Sequence, residues 1–159
     1  MYLETGRSII STSGVTLYTV GSSKQVPQGK KYVAIDGGSF NITSVTDAIQ
    51  AETNIVINGG TFNIKTTGNA STVSAKGIKA VSSIEINSGT FNINTTDDGI
   101  HSDDNITINN GQITINSKDD AIHADGMLEI NNGTINLTAA EGLEATYVKI
   151  NDGDINISA

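Results

Sequence analysis

The chain has 159 residues, enough for one domain; its apolar share is 36%, aromatics make up 4%, and there is one proline and no tryptophan, so a core must be assembled from stacked Ile, Val and Ala. A formal charge of −8 argues against nucleic acid and against anionic membrane surfaces, both of which need clustered Lys and Arg. The absence of cysteine removes disulfides and thiolate metal sites, and no run reaches the roughly 18 apolar residues of a membrane-spanning helix.

Residues 1–32 fit no repeat well, although Val15-Thr-Leu17-Tyr-Thr-Val20 alternates like a strand; the expectation for this stretch is an N-terminal cap or a degenerate first coil. The start Met1-Tyr2-Leu3-Glu4 lacks the basic-then-apolar layout of a secretory leader, so the chain is expected to be a soluble mature protein or a fragment of one.

From residue 33 to 159 the chain repeats. Gly38, Gly60, Gly89, Gly111, Gly133 and Gly153 recur at spacings of 22, 29, 22, 22 and 20 residues. Three residues before each stands an isoleucine, from Ile35 to Ile150, and two before it Asp36 or an asparagine, from Asn58 to Asn151. Two and four residues after come pairs such as Phe40/Ile42, Phe91/Ile93 and Ile135/Leu137. This is two period-2 strands joined at an Asn- and Gly-containing corner. A third strand follows in each unit, at Asp47-Ala-Ile49, Lys76-Gly-Ile78, Asp98-Gly-Ile100, Asp120-Ala-Ile122 and Glu141-Gly-Leu143. Three short strands per unit of about 22 residues predict an all-β chain wound as a right-handed parallel β-helix, with like residues stacked about 4.8 Å apart. The asparagines would form an amide ladder. The 29-residue interval predicts a loop insertion at about 65–76, between the second and third strands of its coil.

Seven of the seventeen acids fall between residues 97 and 125, in the matched segments Asp97-Asp-Gly-Ile-His101-Ser-Asp103 and Asp119-Asp-Ala-Ile-His123-Ala-Asp125. In register, Asp97 stacks on Asp119, Asp98 on Asp120 and Asp103 on Asp125, with Glu141 and Glu144 one coil later. Carboxylates about 5 Å apart repel by roughly 3 kcal/mol per pair at an effective dielectric of 20, and Lys118 is the sole base within the segment. A hard divalent cation with oxygen ligands relieves this, and Ca²⁺ suits an open, irregular site better than Mg²⁺. The alternative is a solvated acidic face. His101 and His123 recur at one outward position; with nearby Asp they could suggest zinc, though such histidines more often bond neighbouring carboxylates or a ligand. With Lys76 and Lys79 they are the candidate ligand contacts.

Ser74-Ala-Lys-Gly-Ile-Lys-Ala80, the two Asp-rich segments and Glu141-Gly-Leu-Glu-Ala145 together resemble the bacterial secreted calcium-binding β-helix proteins that bind polygalacturonate and cellulose, related in fold to pectate lyases. The resemblance covers roughly residues 33–159. It implies Ca²⁺ held by the acids at the third-strand corners, an acidic or cell-wall polysaccharide bridged through the metal, and an extracellular or cell-surface location. A lyase on this scaffold needs a base beside the metal; pectate lyases typically use an arginine, and Arg7, in the poorly matching N-terminal stretch, is the sole arginine here. A binding protein without catalysis is therefore expected. The alternative is a fibre or surface-scaffold subunit, because an uncovered final strand favours head-to-tail stacking of copies.

Overall fold

The computed structural model describes residues 6–11, 16–21 and 32–159, the first two segments by backbone alone. All seventeen elements among them are strands. No helix of the described residues is long and apolar enough to cross a membrane. An antiparallel hairpin, β1 (Gly6–Ser11) and β2 (Thr16–Gly21), comes first. Residues 1–5, 12–15 and 22–31, on which much of the expected cap falls, lie outside the described residues.

The solenoid then runs in parallel coils. The first is β3 (Tyr32–Ile35), β4 (Ser39–Ser44) and β5 (Ile49–Ala51); the second is β6 (Asn54–Ile57), β7 (Thr61–Thr66) and β8 (Ile78–Ala80). The third is β9 (Ser83–Ile86), β10 (Thr90–Asn94) and β11 (Ile100–Ser102), followed by β12 (Asn105–Ile108) and β13 (Gln112–Asn116). From there the third strand of one coil fuses with the first of the next, giving β14 (Asp120–Ile130) and β16 (Glu141–Ile150) around β15 (Thr134–Thr138), with β17 (Asp154–Ser158) last. One parallel sheet orders β17-β15-β13-β10-β7-β4; the other carries the remaining solenoid strands. The hairpin lies beside the first coil, with β1 approaching β3 and β5.

The fused strands depart from the expected three short strands per coil. Two residues of β14, Asp125 and Gly126, face one of β16, Thr146, where the register shifts. Such a bulge adds twist and bends the strand around the corner without breaking it. The same shift accounts for half of the shortening of this interval to 20 residues, the other residue being lost from the turn after β15. Residues 67–77 connect β7 to β8, with a bonded turn at its outer end where Thr72 N and Val73 N both donate to Asn69 O.

Alternation sets the inside. β4 and β7 bury every second residue, and Phe40, Phe62 and Phe91 stack with centroids 4.8 and 4.7 Å apart. The columns Ile57, Ile86, Ile108, Ile130 and Ile49, Ile78, Ile100, Ile122 are fully buried. At the corner, Nδ2 of Asn58, Asn87, Asn109, Asn131 and Asn151 donates to Oδ1 of the preceding rung at 2.6 to 2.8 Å. That ladder begins on Asp36.

Candidate functional site

The turns that enter the third strands are built by hydroxyls and carboxylates working across coils. Buried Ser44, Thr66, Thr95 and Ser117 form a column at the ends of the second strands. Their hydroxyls donate to turn carbonyls, Thr66 to Ala75 O at 2.5 Å and Thr95 to Asp97 O at 2.8 Å. Asp47, also buried, accepts at Oδ1 from Ser74 Oγ (2.6 Å) and Lys76 N (2.9 Å). One coil on, Asp97 Oδ2 accepts from Ala75 N at 3.1 Å, and Asp98 Oδ1 from Asp120 N at 3.2 Å. The acids thus satisfy backbone donors that the turns leave unpaired, which buried N–H groups require.

Lys76 lies one coil before the paired acids, in register with Asp98, and reaches across to them. Its Nζ donates to Asp97 Oδ1 and Asp98 Oδ2, both at 2.8 Å, with the three side chains nearly buried. Burial pulls the ammonium pKa down, but hydrogen bonds to Asp97 and Asp98 outweigh it and hold the pKa above its ordinary value. Burial likewise pushes Asp98 upward; hydrogen bonds from His101 and Lys76 reverse this and leave it at about 2. A fixed internal cation therefore neutralises the upper part of the acid stack.

Register sets two adjacent columns. One contains Lys76, Asp98, Asp120 and Glu141; the outward one runs Gln50, Lys79, His101, His123 and Glu144. His101 Nδ1 lies 2.8 Å from Asp98 Oδ2 and its Nε2 3.0 Å from Asp103 Oδ1. His123 repeats this with Asp120 Oδ2 (3.0 Å) and Asp125 Oδ1 (3.1 Å), and adds Glu144 Oε2 at 3.3 Å from Nδ1. The two ring centroids lie 4.7 Å apart, with the ring planes tilted by 58°.

Below Lys76 the charge is less well balanced. Burial, then Glu144, Asp98 and Asp119 push Asp120 up to about 7. His123 is lowered by burial but raised more by Glu144, Asp98 and Asp120, so its pKa stands above the ordinary imidazole value. Among the described residues, three groups have donor atoms within 4.8 Å of one another: Asp98, His101 and His123; Asp120, His123 and Glu144; and Asp97, Asp98 and Asp119. Two of them use carboxylates already bonded to Lys76, which leaves Asp120, His123 and Glu144 as the set best able to hold a metal ion. Asp103, Asp119, Asp125 and Glu141 are exposed around it. Lys79 stands on the outward column beside His101.

The fold and this face define a parallel β-solenoid displaying a mixed ladder of carboxylates, imidazoles and lysines. The family described as "Carbohydrate-binding domain-containing protein" matches residues 3–121 and 102–145, and the chain belongs to it. Among curated proteins, similarity is confined to a short stretch. Diaminopimelate decarboxylase of Bacillus subtilis (strain 168) is 55% identical over 38 residues, 24% of this chain and 9% of that enzyme. The enzyme of Staphylococcus aureus (strain COL) is 58% identical over 36 residues, 23% and 9% of the two chains. Each match spans less than a tenth of its relative's length. No solved structure matches.

Proposed function

We propose that the protein is an extracellular, non-catalytic carbohydrate-binding protein that takes an acidic or cell-wall polysaccharide through calcium held beside the third-strand corners. The observation that carries this reading is the succession Asp98, Asp120, Glu141 in one column with a single internal cation, Lys76, at one end. Oxygens of Asp120, Glu144 and Asp125 surround His123 on the open surface, next to a shallow depression of about 280 Å³. A cation there would offset the burial and the neighbouring carboxylates that push Asp120 up to about 7 and would offer open positions to sugar carboxylates or hydroxyls. Cleavage is disfavoured by the state of the one amine placed among the acids: Lys76 is a bound ammonium with a raised pKa, the reverse of what a general base needs.

The test is thermal unfolding in EDTA and in millimolar Ca²⁺, alongside mobility in gels containing polygalacturonate. Filling a site present only in the folded coil to about 100 times its Kd stabilises by about 2.7 kcal/mol, which for a chain of this size raises Tm by about 5–10 °C. Equal melting temperatures and no Ca²⁺-dependent retardation would refute the calcium-bridged reading, and release of unsaturated uronides would refute the absence of catalysis.

A second reading, a subunit that stacks end to end, is favoured by the last coil. Val148, Ile150 and Ile157 continue the buried columns of Leu128, Ile130 and Leu137 yet are 39%, 50% and 49% exposed. Either further coils or another copy would cover them, and sedimentation of this chain over a range of concentrations separates association from a stable monomer.

A further inference from the structure

A groove runs along the glycine corner, parallel to the solenoid axis and across four coils. Its volume is about 500 Å³ and its floor is Gly89, Gly111, Gly133 and Gly153, over a length of about 14 Å at three rung spacings. The floor cannot be filled by the fold's own side chains. Gly111 and Gly133 have φ of 144° and 132°, and a Cβ on Gly133 would stand 2.9 Å from Gly111 O. Left-handed backbone and this close approach both demand glycine, so the furrow is an obligatory consequence of the corner.

Its walls are polar and repeat with the coils. On one side Asn110 and Asn132 are held in place because each Oδ1 accepts from the backbone N–H of the following glycine, at 2.8 and 2.7 Å. Their amide Nδ2 groups have no bonded partner among the described residues and remain as fixed donors. On the other side stand Thr90, Gln112 and Thr134, all exposed, and the groove's last rung carries the carboxylates Asp152 and Asp154. Among the described residues, no Lys, Arg or aromatic ring lines it.

We propose that this groove is a second carbohydrate subsite, separate from the acidic ladder, that takes an uncharged polysaccharide chain lying along the solenoid axis without a metal. The proposal rests on the carbohydrate-binding reading above and adds where and which class. The volume falls within the range of about 300–1,000 Å³ typical of ligand clefts. Amide and hydroxyl pairs repeating every 4.8 Å or so match a polymer whose hydroxyls also recur once per sugar. The charge decides the class: with two carboxylates and no cation in the groove, a uronate chain is repelled here, whereas a neutral glycan meets donors and acceptors alone. Donors already immobilised by the backbone lose little entropy on binding.

Affinity gels containing a soluble neutral β-glucan, run in EDTA so that the acidic ladder stays empty, test the proposal. Retardation is expected, and Gln112→Ala with Thr134→Ala should weaken it about tenfold or more, the loss of roughly two hydrogen bonds. Thr134→Arg, which fills the groove from an exposed position, should abolish it, while Glu144→Gln leaves it unchanged. Circular dichroism confirms folding of each variant. Calcium-dependent retention on polygalacturonate with none on neutral glucan in EDTA would overturn the groove and leave the family function standing. Retention on neutral glucan that survives both groove variants and is lost in Glu144→Gln would place all binding on the ladder.

Discussion

Replacing Lys76 by Met keeps an unbranched side chain as far as the Cε position and removes the ammonium from between Asp97 and Asp98, which are 7% and 3% exposed. Breaking a buried pair by deleting one partner costs about 3–5 kcal/mol, because the remaining charges stay buried without compensation. Burial pushes Asp98 up, and His101 and then Lys76 bring it from 3.8 to about 2, so the variant removes one of its two stabilising partners while His101 stays, and Asp97 loses the same lysine. For a chain of this size Lys76→Met should lower Tm at pH 7 by about 6–20 °C. The pH dependence identifies the cause. A depressed carboxylate stabilises the fold above its unfolded value of 3.8, and that contribution is lost as pH falls through about 2. The gap between parent and variant should therefore be widest near neutrality and close towards pH 2 to 3, as the stranded carboxylates protonate. Adding Asp97→Asn to the variant should recover part of the loss, a coupling that a double-mutant cycle reads directly. Thermal melts followed by circular dichroism across pH 2.5–8 suffice. A Tm within 2 °C of the parent at pH 7, or a gap that stays constant into acid, would show that Lys76 is not the cation that balances this corner.

The solenoid was legible because its inward residues are a strict alternation around glycines that only one corner geometry tolerates. The Ile57 to Ile130 column and the amide ladder from Asn58 to Asn151 are both visible as spacing alone. The electrostatics of the site were less so. Counting charges between residues 97 and 125 left the acids nearly uncompensated, yet the coil brings Lys76 beside Asp98 from 22 residues upstream, and Nζ spans the gap. The signal was present, since Lys76-Gly-Ile78 aligns with Asp98-Gly-Ile100; it needed charges to be summed down columns rather than along the chain. The same holds for Thr66 and Thr95, whose hydroxyls fix the turns on either side of the site. The fusion of strands in β14 was not legible, because it follows from a one-residue bulge whose placement depends on how Ala124 to Met127 pack against the next coil.

Two further outcomes follow from the columns. Ile108 is fully buried between Ile86 and Ile130, so Ile108→Asp puts an unpartnered carboxylate in the core, costs several kcal/mol, and should abolish cooperative melting; a parent-like melt would contradict the inward assignment. Glu144→Gln tests the lower site through the slope of stability with pH. Asp120 is raised from 3.8 to about 7 by burial and then by Glu144, Asp98 and Asp119, so the folded chain keeps a proton that the unfolded chain releases, and stability must fall as pH climbs from about 4 to 7. His123 is raised as well, against burial, with Glu144 the first of the groups that raise it. Its contribution is complete below the ordinary imidazole value of 6.5 and fades as pH rises through the raised one, so both groups slope the same way. One retained proton corresponds to about 1.4 kcal/mol per pH unit. Urea unfolding at pH 5, 6, 7 and 8 in EDTA should show stability decreasing with pH in the parent and a markedly flatter profile in Glu144→Gln, which relieves Asp120 and deprives His123 of its partner together. Millimolar Ca²⁺ should flatten the parent in the same way, by taking the place of the proton. Identical slopes in parent and variant would mean that Glu144 does not act on this pair, and the cation seat assigned to Asp120, His123 and Glu144 would lose its electrostatic basis.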